Sequence, residues 1–419
     1  MSMAGPAVAP PAGADGQALI EEARRRHRRR RWIALAVALA VVAGVALAAG
    51  LAGGRAGRHP PARRAHPRTL PLAGRVLPGA DTTLLAWPGS GPYGGGSEGP
   101  GQLGVYVDDL SRGRLSLRPS PPVSAGDIPY IVVRAGHWLV YNYNGDAGVA
   151  AARDDLTGRP RRLGRAVTFV PSAVPGQVLL AGYFTHTVRP VEVSTGRLGP
   201  AIRLPQQAAT LLAGTVGGFL LLSKSEALEL WRPGKAPQAI AALGRFGQGL
   251  GFAMDARFVS YGAGCTDVAV TSTRSGWGNV PVGYGVCRVL RVIDLVTGRR
   301  LSFAAPKGTL GWTSYDYPAL AVNAIAPGNR LLAAPAAVAP ARDGTVRLFV
   351  LRLGHPDAAP LAVPRSAAPG FAVWTWSASS WLFYQGPGGK AWAFQPNTGQ
   401  SADLKIPCHP CMAVVSVPG

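Results

Sequence analysis

The sequence predicts an all-β domain preceded by a single transmembrane helix. Three observations lead to this fold class: an uncharged segment directly after a run of arginines, a repeat of about 40 residues in the rest of the chain, and many turn-forming residues. The 419 residues include 55 Gly and 38 Pro, and both types weaken helix interiors. With 47% hydrophobic residues the chain is too apolar for intrinsic disorder.

The positive charge is concentrated near the N-terminus. Residues 1–68 hold twelve arginines against three acids, a net charge of +9 out of +22 for the chain. Seven of these arginines directly precede the apolar segment: Arg24, Arg25, Arg26, Arg28, Arg29, Arg30 and Arg31. Residues 32–51 carry no charge and have the length that spans a hydrocarbon core. Because positive flanks stay in the cytoplasm, we expect a basic cytoplasmic tail over 1–31 and a signal anchor over 32–51.

The segment that follows the anchor is expected to lie outside the cell membrane. Residues 52–68 are rich in Pro and Arg and are typical of an extended stalk, which leaves 69–419 as the extracytoplasmic domain. The alternative is a cleaved signal peptide, since Ala46-Leu47-Ala48 is a pattern that signal peptidase can cut. The long segment before the apolar run favours the uncleaved, single-pass anchor with a cytoplasmic N-terminus.

A short apolar strand recurs seven times between residues 69 and 419. These strands begin at Thr83, Trp138, Val178, Phe219, Phe258, Leu331 and Trp381. Each is followed by a second apolar strand that runs into a tight polar turn, such as Thr195-Gly196 or Thr297-Gly298. Glycine supplies the positive φ that short hairpin turns require. A repeat near 40 residues is typical of one four-stranded blade.

Residues 69–419 resemble a seven-bladed β-propeller of the WD40-like or TolB-like kind. Besides the repeat, Trp374-Thr375-Trp376-Ser377 running into Trp381-Leu382-Phe383 is similar to a step in TolB-like blades. The resemblance implies a ring of sheets that binds partners through loops at one mouth of the central channel. The alternative is a pair of β-sandwich domains with similar turn spacing.

Four cysteines in an exported chain predict disulfides. Cys265 and Cys287 flank a long polar interruption of the repeat, and a bond between them would stabilise that loop by about 3 kcal/mol. For Cys408 and Cys411, which form a C-x-x-C motif, we favour a local disulfide. A redox dithiol and half of a metal site are the alternatives.

No catalytic motif stands out in the sequence. Gly94–Gly99 formally fits two glycine-rich motifs, but it lies between strands and opens no helix. The acid pairs Asp108-Asp109 and Asp154-Asp155 precede hairpin turns, where aspartate commonly binds backbone N–H groups. We therefore expect a structural role for these acids, no cofactor and no enzymatic activity.

Function is expected to lie in the surface loops. The long insertions carry five aromatic residues that could stack a sugar ring or hold a peptide: Trp277, Tyr284, Trp312, Tyr315 and Tyr317. Alternatively, these aromatics pack together as a small satellite core. We expect a non-catalytic binding or scaffolding module at the cell envelope, with a protein or glycan partner and no nucleic acid. A propeller-type hydrolase or lyase acting on envelope glycan or peptide is the alternative.

Overall fold

A computed structural model describes most of the second of two compact units, which divide the chain into Met1–His66 and Pro67–Gly419. The described residues are 72–88, 104–119, 132–143, 148–165, 167–182, 186–243, 257–270, 282–313, 324–328, 330–338, 345–366, 368–369, 373–387, 390–407 and 411–418. The predicted anchor over 32–51 lies outside them. Over the described ranges, no helix has the length and apolar character needed to cross a membrane.

The described residues form β-strands joined by turns. In chain order the strands are β1 (Leu72–Ala73), β2 (Thr82–Pro88), β3 (Gly104–Asp109), β4 (Arg114–Pro119), β5 (Val132–Ala135), β6 (Trp138–Tyr143), β7 (Gly148–Arg153), β8 (Arg161–Arg165), β9 (Val167–Pro171), β10 (Gln177–Gly182), β11 (Thr187–Glu192), β12 (Arg197–Leu198), β13 (Ile202–Arg203), β14 (Ala208–Thr215), β15 (Gly218–Ser223), β16 (Ala227–Trp231), β17 (Gln238–Ala242), β18 (Phe258–Val270), β19 (Val282–Asp294), β20 (Arg300–Ala304), β21 (Thr309–Thr313), β22 (Leu331–Val338), β23 (Thr345–Arg352), β24 (Leu361–Ala362), β25 (Ala368–Pro369), β26 (Val373–Trp376), β27 (Leu382–Gln385), β28 (Ala391–Gln395), β29 (Gln400–Asp403) and β30 (Cys411–Pro418).

These strands make six antiparallel sheets, three of which are simple four-stranded meanders. The strand orders are β1-β4-β3-β2-β30, then β5-β6-β7-β8, β12-β11-β10-β9 with β13 on β11, β14-β15-β16-β17, and β26-β27-β28-β29. The remaining sheet has eight strands, in which β18-β19-β20 and β21-β22-β23-β24 follow one another. In the same sheet β25 also pairs with β23, and β19 pairs with β21. Consecutive meanders of this kind are the building units of a β-propeller.

The last strand pairs with the first sheet. β30 runs antiparallel to β2 from Thr82 opposite Pro418 to Pro88 opposite Cys411. The C-terminal strand therefore belongs to the N-terminal sheet. This closure, together with the succession of meanders, identifies the domain as a β-propeller, since two consecutive sandwich domains would not join first and last strands in one sheet.

The core lies between neighbouring sheets. Val133 and Val140 of one sheet pack with Phe169 and Val178 of the next, and all four side chains are buried. The predicted apolar repeat falls on β2, β6, β10, β15, β18 and β22, and on Trp381 directly before β27. Both faces of these strands are covered, which explains why they are continuous apolar segments rather than alternating ones.

Candidate functional site

Carboxylates brace the hairpin turn between the third and fourth strands of several sheets. Asp109 Oδ1 accepts hydrogen bonds from the backbone N–H groups of Ser111 and Arg112 at 3.2 and 3.1 Å. Asp155 Oδ1 accepts from the N–H and hydroxyl of Thr157 at 2.9 and 2.6 Å. The expected structural role in the turn is confirmed for Asp109 and Asp155, because each of these two completes a local turn.

The same carboxylates also neutralise arginines at their own turns. Arg112 lies 3.5 Å from Asp109, Arg153 lies 3.3 Å from Asp155, and Arg197 lies 3.9 Å from Glu192. Burial raises the pKa of Asp109, but its hydrogen bonds outweigh this effect and the net pKa is lowered. These three turns therefore present paired charges to the solvent.

The turn between β19 and β20 differs, because its carboxylate binds an arginine from another strand. Arg257, directly before β18, donates to Asp294 through Nε and Nη2, and the shortest contact is 2.7 Å. Asp294 also accepts from the N–H of Val296 at 3.0 Å. The Arg257 guanidinium and these amides hold the pKa of Asp294 at about 2. Arg299, which occupies the position of Arg197 in this turn, is left without an ion-pair partner among the described residues.

The next turn along the chain carries no acid at the bracing position. Arg352 lies opposite Leu331, just as Asp294 lies opposite Phe258 and Glu192 lies opposite Gln177. An arginine therefore replaces the carboxylate. Arg299 and Arg352 line one open cleft of about 660 Å³, and we call it the arginine cleft. Its other lining residues are Gly354, His355, Pro356, Asp357 and Ala358.

The second distinctive feature is the hairpin of β18 and β19. Each strand has 13 residues, and their register runs without a shift from Phe258 opposite Asp294 to Val270 opposite Val282. The predicted Cys265–Cys287 disulfide is present and joins directly opposed residues, 22 apart in sequence. Beneath it lies Gly262, where an added Cβ would overlap the Sγ of Cys287. The disulfide therefore crosses the hairpin where β21 also pairs with β19, through Val286 and Cys287.

The predicted aromatic surface is described only in part. Trp312 is 1% exposed on β21, donates its indole N–H to the carbonyl of Phe303 at 2.9 Å and packs edge-on against Phe349. It belongs to the core and cannot contact a ligand at the surface. Its packing partners are core residues such as Phe349. Tyr284 lies on β19. Trp277, Tyr315 and Tyr317 lie outside the described residues, so a surface built from them stays a prediction.

The other predicted site residues are largely beyond the described part of the chain. Cys411 begins β30, whereas Cys408 and the seven arginines of the orientation signal lie outside the described residues. The local Cys408–Cys411 disulfide stays a prediction. Within the described ranges, no group of three or more His, Cys, Asp or Glu side chains is placed to hold a metal ion.

Sequence reasoning missed the arginine cleft and the burial of Asp108. The cleft has a partial signal, because Thr297-Gly298-Arg299 repeats Thr195-Gly196-Arg197 and the next turn has Arg352 at the position of the bracing acid. The pairing of Arg257 with Asp294, 37 residues apart, has no local signal. Because of this long-range pair, Asp294 does not pair with Arg299 within the described part of the chain.

Among known proteins, only solved structures are similar to this chain. The chain matches no protein-family model and no curated protein sequence. Hsv2 from Kluyveromyces lactis is 9% identical, with a TM-score of 0.34 over 67% of this chain and 100% of that one. The Pan2 WD40 domain of Neurospora crassa is 11% identical, with a TM-score of 0.42 over 74% and 94%. A protein from Lactobacillus plantarum is 12% identical, with a TM-score of 0.42 over 80% and 99%.

Proposed function

We propose that this protein is a membrane-anchored, extracytoplasmic β-propeller that acts as a non-catalytic binding or scaffolding module at the cell envelope. The observation that carries the proposal is the long hairpin of β18 and β19. Its partner is a protein or glycan of the envelope, and nucleic acid is not among the ligands. In this proposal the propeller is a rigid platform and the hairpin is the arm that meets the partner.

The hairpin reaches beyond the sheet to which it belongs. At about 3.4 Å per residue, strands of this length extend about 44 Å, whereas the other described strands have at most 8 residues. β20 pairs only with Val289–Ile293, near the base. The outer part of β18 (266–270) and the outer part of β19 (282–285) pair only with each other among the described strands.

A disulfide at the base gives this arm a fixed direction. A two-stranded ribbon is marginally stable in water by itself, so an extension of this length needs support. The Cys265–Cys287 bond and the pairing with β21 supply that support where the ribbon leaves the sheet. The outer backbone edges of such a ribbon are a recognised surface for adding a partner strand.

Two features favour the extracytoplasmic location. The arginine run before an uncharged segment of twenty residues is the pattern of an N-terminus that stays inside while the rest is exported. A disulfide within the propeller is typical of proteins that fold in an oxidising compartment. We propose a single-pass anchor over 32–51 and a stalk over 52–68.

Seven blades are proposed for the ring. The eight-stranded sheet contains two successive meanders joined by the β19–β21 pairing. If this eight-stranded sheet is counted as two blades, the six sheets correspond to seven blades. This number matches the seven repeats of the apolar strand. The blade that begins at β18 would draw its first strand from residues before 257.

Photo-crosslinking in intact cells tests the binding arm. A benzophenone amino acid replaces Thr266, an exposed residue on the ribbon, and in a control variant it replaces Ser302, an exposed residue on β20 of the same sheet. We expect a light-dependent adduct of defined mass from position 266 and none from 302. Replacing Cys265 by Ser in the first variant should lower the adduct yield.

Two results would contradict the binding arm. Equal adducts from both positions would indicate non-specific proximity, and no adduct from either would indicate that the ribbon contacts no partner. The hydrolase or lyase alternative stays a prediction of the sequence.

A further inference from the structure

The arginine cleft is a site separate from the hairpin arm and from the proposed function. At three turns of the domain an arginine is paired with the carboxylate of its own turn. At the two turns that border the cleft this pairing is broken in two different ways. In the first turn Asp294 pairs with Arg257 and not with Arg299. In the second turn Arg352 takes the position that the carboxylate has in the other turns. Two guanidinium groups without ion-pair partners among the described residues thus line one cavity.

Both rims of the cleft are held by backbone hydrogen bonds. On one side the N–H of Asp294 donates to the carbonyl of Arg299 at 2.9 Å, and the N–H of Gly298 donates to Asp294 at 2.7 Å. On the other side the N–H of His355 donates to Arg352 at 3.0 Å, and that of Ala358 donates to His355 at 3.1 Å. The two arginines therefore project from braced turns, which lowers the entropy lost when they bind a ligand.

We propose that the arginine cleft binds a phosphate group. Arg299 and Arg352 each offer a planar fork of N–H donors that matches two phosphate oxygens, and two positive charges suit a dianion. The imidazole of His355 adds a further nitrogen to the same lining. A cavity of this size also accommodates the group that carries the phosphate.

Asp357 adds a negatively charged hydrogen-bond acceptor to the cleft. It lines the cavity with the two arginines and has no ion-pair partner among the described residues. One carboxylate against two guanidiniums leaves the site positive. Its oxygens can accept hydrogen bonds from hydroxyl groups beside the phosphate, as on a glycerol or sugar phosphate. The cleft is therefore suited to a phosphate ester of a hydroxylated compound as well as to free phosphate.

Titration calorimetry on the full chain in detergent micelles tests the site. Inorganic phosphate and glycerol phosphate are titrated separately at constant ionic strength, into the unaltered protein and the Arg299→Gln and Arg352→Gln variants. The matched control is Arg197→Gln, because Arg197 follows the same Thr-Gly turn but is paired with Glu192. We expect each cleft variant to weaken binding about tenfold or more, since each loses a charge-assisted hydrogen bond. The control should retain the affinity of the unaltered protein.

The two probes separate the sources of the phosphate group. Tighter binding of glycerol phosphate, reduced by Asp357→Asn, would assign the site to an ester. Equal or tighter binding of inorganic phosphate would assign it to the free ion. Absence of saturable binding for both probes would overturn the proposal, as would affinities unaffected by Arg299→Gln and Arg352→Gln. None of these outcomes depends on whether the hairpin crosslinks to a partner.

Discussion

Asp108 is a buried carboxylic acid in the first sheet, and its ionisation should reduce the stability of the domain as the pH rises. Its side chain is 0% exposed on β3, between Leu84 of β2 and Leu115 of β4. Neither carboxyl oxygen has a hydrogen-bond partner among the described residues. Burial, and next the negative charge of Asp109, raise the pKa of Asp108 from 3.8 to about 7.

The direction of the pH effect follows from this raised pKa. Below about pH 4 the group is protonated in both the folded and unfolded states and has no effect on stability. Between about pH 4 and 7 only the unfolded state releases the proton, so the free energy of unfolding falls as the pH rises. A pKa raised from 3.8 to about 7 corresponds to about 4 kcal/mol, reached at pH values above 7.

Asp108→Asn removes the titration and keeps the side-chain shape. The variant should lack this loss of about 4 kcal/mol between pH 4 and 8, although its unpaired amide has a cost of about 1–3 kcal/mol at every pH. Urea unfolding of the full chain in micelles, followed by tryptophan fluorescence, measures the free energy at each pH. In the neighbouring variant, Asp109→Asn, most of the slope that comes from Asp108 should remain, because burial is the larger cause of its raised pKa, and the loss of the Asp109 charge should reduce the slope only in part. Equal pH slopes in Asp108→Asn and the unaltered protein would refute the reasoning.

Three further changes test the stapled hairpin and its base. Gly262→Ala should lower the free energy of unfolding by about 1–3 kcal/mol, because the new methyl group overlaps the Sγ of Cys287; thermal melts measure this, and an unchanged melting temperature would contradict the packing. Cys265→Ser should lower the free energy of unfolding by about 3 kcal/mol, and a reductant should lower the melting temperature of the unaltered protein by more than that of this variant. Arg257→Gln should raise the pKa of Asp294 from about 2 towards 3.8. The free energy of unfolding of the variant should be about 1 kcal/mol below that of the unaltered protein at neutral pH. Acid-unfolding curves should show this difference vanish as the pH falls from about 4 to 2. A difference that persists at low pH would show that the ion pair is not its cause.

The repeated architecture could be predicted from the sequence because its signals are local. Each second strand is a continuous apolar segment, and each hairpin turn shows its own glycine. Gly298, for example, adopts a φ of 73° in the turn that Thr297-Gly298 predicts. The pairing of the C-terminal strand with the first sheet agrees with this repeat, since a ring of meanders needs its last strand beside its first.

The candidate sites could not be predicted in the same way, because they depend on contacts between distant residues. Trp312 lies in a long insertion and looked available to a ligand, yet β21 folds back on β19 and buries it. Arg299 has no ion-pair partner among the described residues, because Arg257, which precedes β18, is paired with Asp294. Asp108 and Asp109 are adjacent in sequence, but strand alternation directs one into the core and the other into the turn.

The account depends most directly on the propeller being outside the cytoplasmic membrane. Proteinase K digestion of intact cells, with antibodies against tags at the N-terminus and the C-terminus, measures which parts are accessible. We expect the C-terminal tag to be lost from intact cells while the N-terminal tag stays on a protected fragment of about residues 1–51. A cytoplasmic protein as the internal control should remain whole. Protection of residues 69–419 in intact cells, with digestion only after lysis, would contradict the proposed topology.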